Sequence, residues 1–171
     1  MGVADLFNIK FTYDLSAFNA ACSGASAAVQ TALHTGIEDA CTEIQGMAQE
    51  RHKFQTQTGA AEHAIQVKPV VDNGVTVTGE VFLNSRDCPH VIYQHEGTGL
   101  YGPMNRQYPI SPKNAKALHF VSGGQGFFAK HVLANGILPD PFLINAAKKL
   151  APEITQKLTR ALANALRSAG F

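Results

Sequence analysis

His95-Glu96 carries the chemistry of a general base beside an orienting carboxylate, and it stands just ahead of the sharp turn that Gly97-Thr98-Gly99 allows. The apolar run Val91-Ile92-Tyr93 before it is read as a strand. Neighbours on a strand point to opposite faces, so these two side chains would not readily meet. No H-E-x-x-H follows, which removes the usual zinc hydrolase motif. The seven histidines are His34, His52, His63, His90, His95, His119 and His131. His119 and His131 fall on two stretches expected to pair as strands, close enough to share a metal, but no third ligand stands at a recognisable spacing. A small metal-dependent hydrolase using His95, Glu96, His119 and His131 is therefore the alternative reading, and a structural or interface role for this stretch is the favoured one. Ser122-Gly-Gly-Gln-Gly126 lacks the Gly-Lys-Ser/Thr of a phosphate loop and reads as a hairpin tip. No G-x-S-x-G elbow occurs. No catalytic residue, metal or cofactor is expected.

The elements that must position these residues follow from composition and periodicity. A chain of 171 residues is enough for one domain with a real core, and one domain over 1–171 is expected. Apolar residues make up 45% and charged residues 16%, against a usual charged share of about 25%. So weakly charged a surface suits burial against partners. The net charge of +1 gives no global field for nucleic acid or an acidic substrate. Of the three cysteines, Cys22 and Cys41 lie on apolar helix faces and are read as buried free thiols in a reducing compartment. The first ten residues lack the pattern of a secretory leader, and no apolar stretch reaches about 18 residues, so no membrane span is expected.

Phe7, Ile9, Phe11 and Tyr13 alternate with polar residues, as a strand does. From an N-cap at Asp14 or Ser16 to Phe54 apolar residues recur at steps of three and four, predicting a long helix, or two. Gly24, Gly36 and Gly46 within it mark kinks or close packing points. Its other face carries Gln30, His34, Glu38, Gln45, Gln49 and His52, read either as solvated or as a subunit contact. Two strands, 65–67 and 75–83, flank an Asp72-Asn73-Gly74 turn, with Pro69 near an end or edge. Residues 99–114 are largely loop. Residues 117–121 and 127–133 form a second hairpin. Asp140-Pro141 opens a terminal helix, kinked or divided at Pro152. The fold class is α+β: a long N-terminal helix, a mostly antiparallel sheet of about four to five strands with a long loop, and a C-terminal helix. Lys148, Lys149, Lys157, Arg160 and Arg167 make that last helix basic. A DNA-binding accessory protein is a third reading, but the basic residues do not share one stripe and solvation is favoured.

Four local motifs, in order, resemble the head–tail joining, or tail-completion, proteins of long-tailed bacteriophages. They are Gln57-Thr58-Gly59 after the long helix, Tyr93-x-x-Glu96-Gly97-Thr98, the proline-rich loop ending in Ile110-Ser111-Pro112-Lys113-Asn114-Ala115-Lys116-Ala117-Leu118, and Pro139-Asp140-Pro141-Phe142-Leu143-x-x-Ala146. The proline that usually precedes Thr-Gly is absent, and Ala60-Ala61 replaces a frequent Leu-Arg. The resemblance implies a non-catalytic virion protein, assembled in the host cytoplasm into a ring of copies at the neck, commonly six, around the DNA channel. Its implied partners are other copies of itself, neighbouring head-completion, tail-terminator or tail-tube proteins, and genomic DNA passing through the lumen. Long loops in compact domains usually bind something, and aromatic and methionine side chains favour such contacts. The expected interface residues are therefore Glu96, Gly97, Thr98, Tyr101, Met104 and Tyr108.

Overall fold

A computed structural model describes residues 8–16, 26–55 and 58–170. Expectations for Phe7, for residues 17–25 including Cys22, and for Gln57 lie outside these. The fold is α+β, with a long helix near its start, antiparallel strands and a C-terminal helix. The chain groups into two compact units. One holds Met1–Val91 with Pro141–Phe171, and the other holds Ile92–Asp140.

In the first unit, β1 (Asn8–Asp14), β2 (Ile65–Asp72) and β3 (Thr76–Leu83) form an antiparallel sheet in the order β1-β3-β2. The β2–β3 turn follows from its residues. Gly74 takes φ 80°, and the Asn73 carboxamide oxygen accepts bonds from Val75 N at 3.0 Å and Thr76 N at 2.7 Å. Pro69 falls where the β2 register shifts, between Lys68 and Val71, on an edge strand that tolerates a missing donor. β3 is central. Its alternate residues Val77, Gly79, Val81 and Leu83 are buried, and Gly79 lies against α1 (Ser26–Glu50). A Cβ on Gly79 would come 2.5 Å from Ile37 Cγ2 and 2.6 Å from Cys41 Sγ, so this glycine permits the close helix–sheet approach. Cys41 and Cys88 are free and buried, and burial pushes the Cys41 thiol up to about 11. On the sheet's other face Glu80 sits in register between Lys10 and Lys68. Its carboxylate takes Lys68 Nζ at 2.7 Å, Asn8 Nδ2 at 3.1 Å and Lys10 Nζ at 3.7 Å.

On the polar face of α1, Glu38 is exposed, while three glutamines bond within the chain. Gln30 donates to Gly74 O at 2.9 Å and Gln45 to Ile65 O at 2.7 Å, reaching the ends of the β2–β3 hairpin. Gln49 donates to Glu62 O at 3.0 Å, in α2 (Ala60–His63). Glutamine supplies a long neutral donor to backbone carbonyls there, without the cost of burying a charge. Gly36 is a close packing point: a Cβ would lie 2.6 Å from Leu158 Cδ2 of α4 (Phe142–Ser168).

α4 runs unbroken through Pro152, so the two-helix option does not occur. Its first half buries Phe142, Leu143, Ala146, Leu150 and Ile154, each large side chain contributing about 1.5–3 kcal/mol. The helix begins at Phe142, with Pro141 at the N-cap position and no side-chain cap bond from it, and the buried Asp140 donates its N–H to Gln94 O at 2.9 Å. Among the described residues no helix is long and apolar enough to cross a membrane.

The second unit begins within α3 (His90–Glu96) and carries a 3-10 turn (Gly99–Tyr101) and four short strands. These are β4 (Tyr108–Ile110), β5 (Leu118–Ser122), β6 (Gln125–Ala129) and β7 (Val132–Ala134), paired only as β4-β7 and β5-β6. Among the described residues the strands thus number seven and divide among three small sheets.

Candidate interaction surface

The strand expected at Val91-Ile92-Tyr93 is a helix, α3. A short apolar run does not by its period distinguish strand from buried helix. Pro89 stands just before its first turn, and Gly97 N closes its last by donating to Tyr93 O at 2.9 Å. His95 and Glu96 still diverge, now by the helical step of about 100°. His95 is 2% exposed while Glu96 is half-buried. Burial lowers the His95 pKa, against the opposing pull of the Asp140 carboxylate.

Beyond α3 the chain turns on Gly97 (φ 78°) and Gly99 (φ 64°), a conformation that glycine takes without strain. The turn is locked to residues 135–139. Thr98 N donates to Ile137 O at 2.9 Å, Ile137 N to Thr98 Oγ1 at 3.0 Å, and Leu100 N to Asn135 O at 2.8 Å. A Cβ on Gly97 would lie 2.7 Å from Ile137 O, and one on Gly99 or Gly136 would run into the backbone opposite. Farther on, Gln107 Nε2 donates to Asn135 Oδ1 at 2.6 Å, and Tyr108 pairs with Ala134.

The six expected interface residues therefore separate. Gly97 is buried and Thr98 is engaged with Ile137, so both work inside the chain. Tyr101, Met104 and Tyr108 stand 46%, 66% and 39% exposed. The long loop between them is not free. Arg106 N donates to Gly99 O at 3.1 Å and Asn105 N to Gly102 O at 3.0 Å, the latter with Asn105 at φ 44°.

Residues 118–129 form the expected hairpin. Gly123 (φ 59°) and Gly124 (φ 81°) make a two-residue tip with positive φ at both positions, which matches the twist of the strands. Phe120 stacks on Phe127 with centroids 5.7 Å apart, and His119 packs on Phe128 at 4.7 Å. Successive residues alternate faces, so aromatic surface is presented on both sides of the ribbon. Phe128 is 75% exposed.

The single strand expected over 127–133 ends instead at Ala129, and the chain then pairs β7 with β4. His119 faces Phe128 rather than His131, whose Nδ1 lies 2.9 Å from Ser111 Oγ. Among the described residues no group of three or more His, Cys, Asp or Glu side chains is placed to hold a metal. The basic residues of α4 are exposed, and Lys157 bridges Glu43 at 2.6 Å and Glu153 at 3.0 Å.

What sequence reasoning missed is the imbalance of the second unit. Ile92 is its only large apolar side chain that is buried among those described. Thirteen of the sixteen exposed large apolar residues of the described chain fall between Tyr93 and Leu138. The available signal was that this stretch lacks the three-and-four or two-fold periodicity that marks a buried face.

No family model, curated protein or solved structure matches the chain.

Proposed function

We propose that this chain is a structural protein of the neck of a long-tailed phage, forming a ring of copies, as a hexamer, that completes the tail and joins it to the head around the DNA channel. One observation carries the reading: the 92–140 unit has apolar side chains in quantity but no core of its own. So many exposed large apolar side chains gathered in one stretch of chain favour a contact with another protein. Isolated two-stranded ribbons are marginal in water and gain support from whatever covers them. The motif residues Glu96-Gly97-Thr98 lie at the root of this unit, where Gly97 and Thr98 fix the start of the exposed loop. The hydrolase alternative gains nothing comparable, since His95, Glu96, His119 and His131 are not assembled into one constellation.

The test is particle mass by light scattering, with negative-stain imaging, and a head-to-tail joining assay with extracts lacking the protein. Rings, together with unjoined heads and tails that the purified protein rescues, are expected. Joined, infectious particles formed in the protein's absence would overturn the proposal.

A further inference from the structure

The first unit contains an open groove of about 830 Å³ between α1 and α4. Ala28, Ala32 and Gly36 line it from α1, Ala161 and Ala165 from α4. Their short side chains leave this space open, although Gly36 itself packs closely on Leu158. Its size is that of cavities that accept large apolar groups, typically about 300–1,000 Å³. Asp39 and Glu43 also line it. Lys157 is already held by Glu43 and Glu153, and Asp39 makes no ion pair among the described residues.

The β5–β6 ribbon has complementary chemistry. Phe128 is the most exposed large apolar side chain among the described residues. Residues 118–129 contain no charge, and the charged residues nearest their two ends, Lys113, Lys116 and Lys130, are all basic. We infer that the β5–β6 ribbon of one copy seats in the α1–α4 groove of the next, with Phe128 as the anchor and Lys130 facing Asp39. This rests on the ring reading and specifies its contact. Knob and groove lie on different stretches of the chain, so the contact is head-to-tail, the kind that closes into a ring when the rotation allows. The charge pair sets orientation and register, and the aromatic anchor supplies the affinity.

The experiment is sedimentation velocity on the full chain over a concentration series. Phe128→Glu and Ala165→Glu, which act on opposite sides of the contact, are each expected to weaken assembly about tenfold or more. Asp39→Lys and Lys130→Glu are each expected to weaken it, and the two together to restore it. Circular dichroism melts check folding, and should one variant fail to fold, the remaining substitutions still decide the matter. Rings that persist in all single variants would overturn this contact while leaving the ring reading intact. A wild-type chain that stays monomeric up to its solubility limit would overturn both.

Discussion

Thr98 and Ile137 bind each other twice, through Thr98 N to Ile137 O at 2.9 Å and Ile137 N to Thr98 Oγ1 at 3.0 Å. The pair closes the root of the second unit, and one of its four polar groups is a side chain that can be removed without changing shape. Thr98→Val should therefore destabilise this unit by about 1 kcal/mol, the net value of one such bond. Gly97→Ala should cost more, since it adds strain at φ 78° and a clash with Ile137 O. Hydrogen exchange is the measurement: faster exchange confined to residues 92–140 is expected, and uniform acceleration would contradict it.

Two glycines of the first unit should respond in opposite directions. Gly46 lies inside α1 with nothing within 4 Å of an added Cβ, so Gly46→Ala should stabilise by about 1 kcal/mol through helix propensity. Gly79→Ala must displace the buried Ile37 and Cys41 side chains, an overpacking cost of about 1–3 kcal/mol. Thermal melts of the two variants check both signs.

Glu80 predicts an acid-sensitive sheet. Burial raises its pKa, but the Lys68 ammonium, with Asn8 and Lys10, outweighs this and holds it below the ordinary 4.5. With the folded value depressed, the stabilisation is complete above 4.5 and is lost as pH falls through the folded pKa. Glu80→Gln should lose about 1 kcal/mol at neutral pH, allowing for solvent screening of the lysines, and show a flatter stability curve at acid pH. Chemical denaturation across that range measures it.

His95 adds a second window at higher pH. Its folded pKa is lowered by burial, so the unfolded chain takes up a proton first. The stabilisation is present above 6.5 and is lost as pH falls from there through the lower folded value. His95→Gln should remove that part of the pH dependence while leaving the Glu80 window in place. An unchanged curve in hydrogen exchange of residues 92–140 would contradict this.

Replacing Tyr101, Met104 and Tyr108 together with serine tests the exposed loop. Their side chains are exposed, so melting should change little, by about 0.5 kcal/mol or less per site. Assembly should weaken about tenfold or more if they are anchors. Wild-type joining activity in the triple variant would remove the loop from the contact.

Much of the first unit was legible in the sequence. Asp72-Asn73-Gly74, Pro69 and the apolar stripes of both helices each carry their own local signal, although α1 ends at Glu50, short of the expected Phe54. The roles of Gln30, Gln45 and Gln49 were not legible, because a side-chain bond to a distant carbonyl leaves no period. In the second unit, Val91-Ile92-Tyr93 was too short to choose between helix and strand. The partner of the Gly97–Gly99 turn lies some forty residues away, so only the tertiary structure identifies Gly136 and Ile137 as its other half. The exposure of Phe128 and its neighbours depends on which strands find partners, and the pairing of β7 with β4 decides that.

The 92–140 unit is an insertion in the chain of the first, and its two ends are tied by Asp140 N to Gln94 O at 2.9 Å. Nearly all of the helix–sheet core comes from outside this insertion, while most of the exposed apolar surface comes from within it. Substitutions in one stretch can therefore alter what the molecule recognises while leaving nearly intact what keeps it folded. A chain organised this way can exchange partners by rewriting some fifty contiguous residues, with its framework inherited whole.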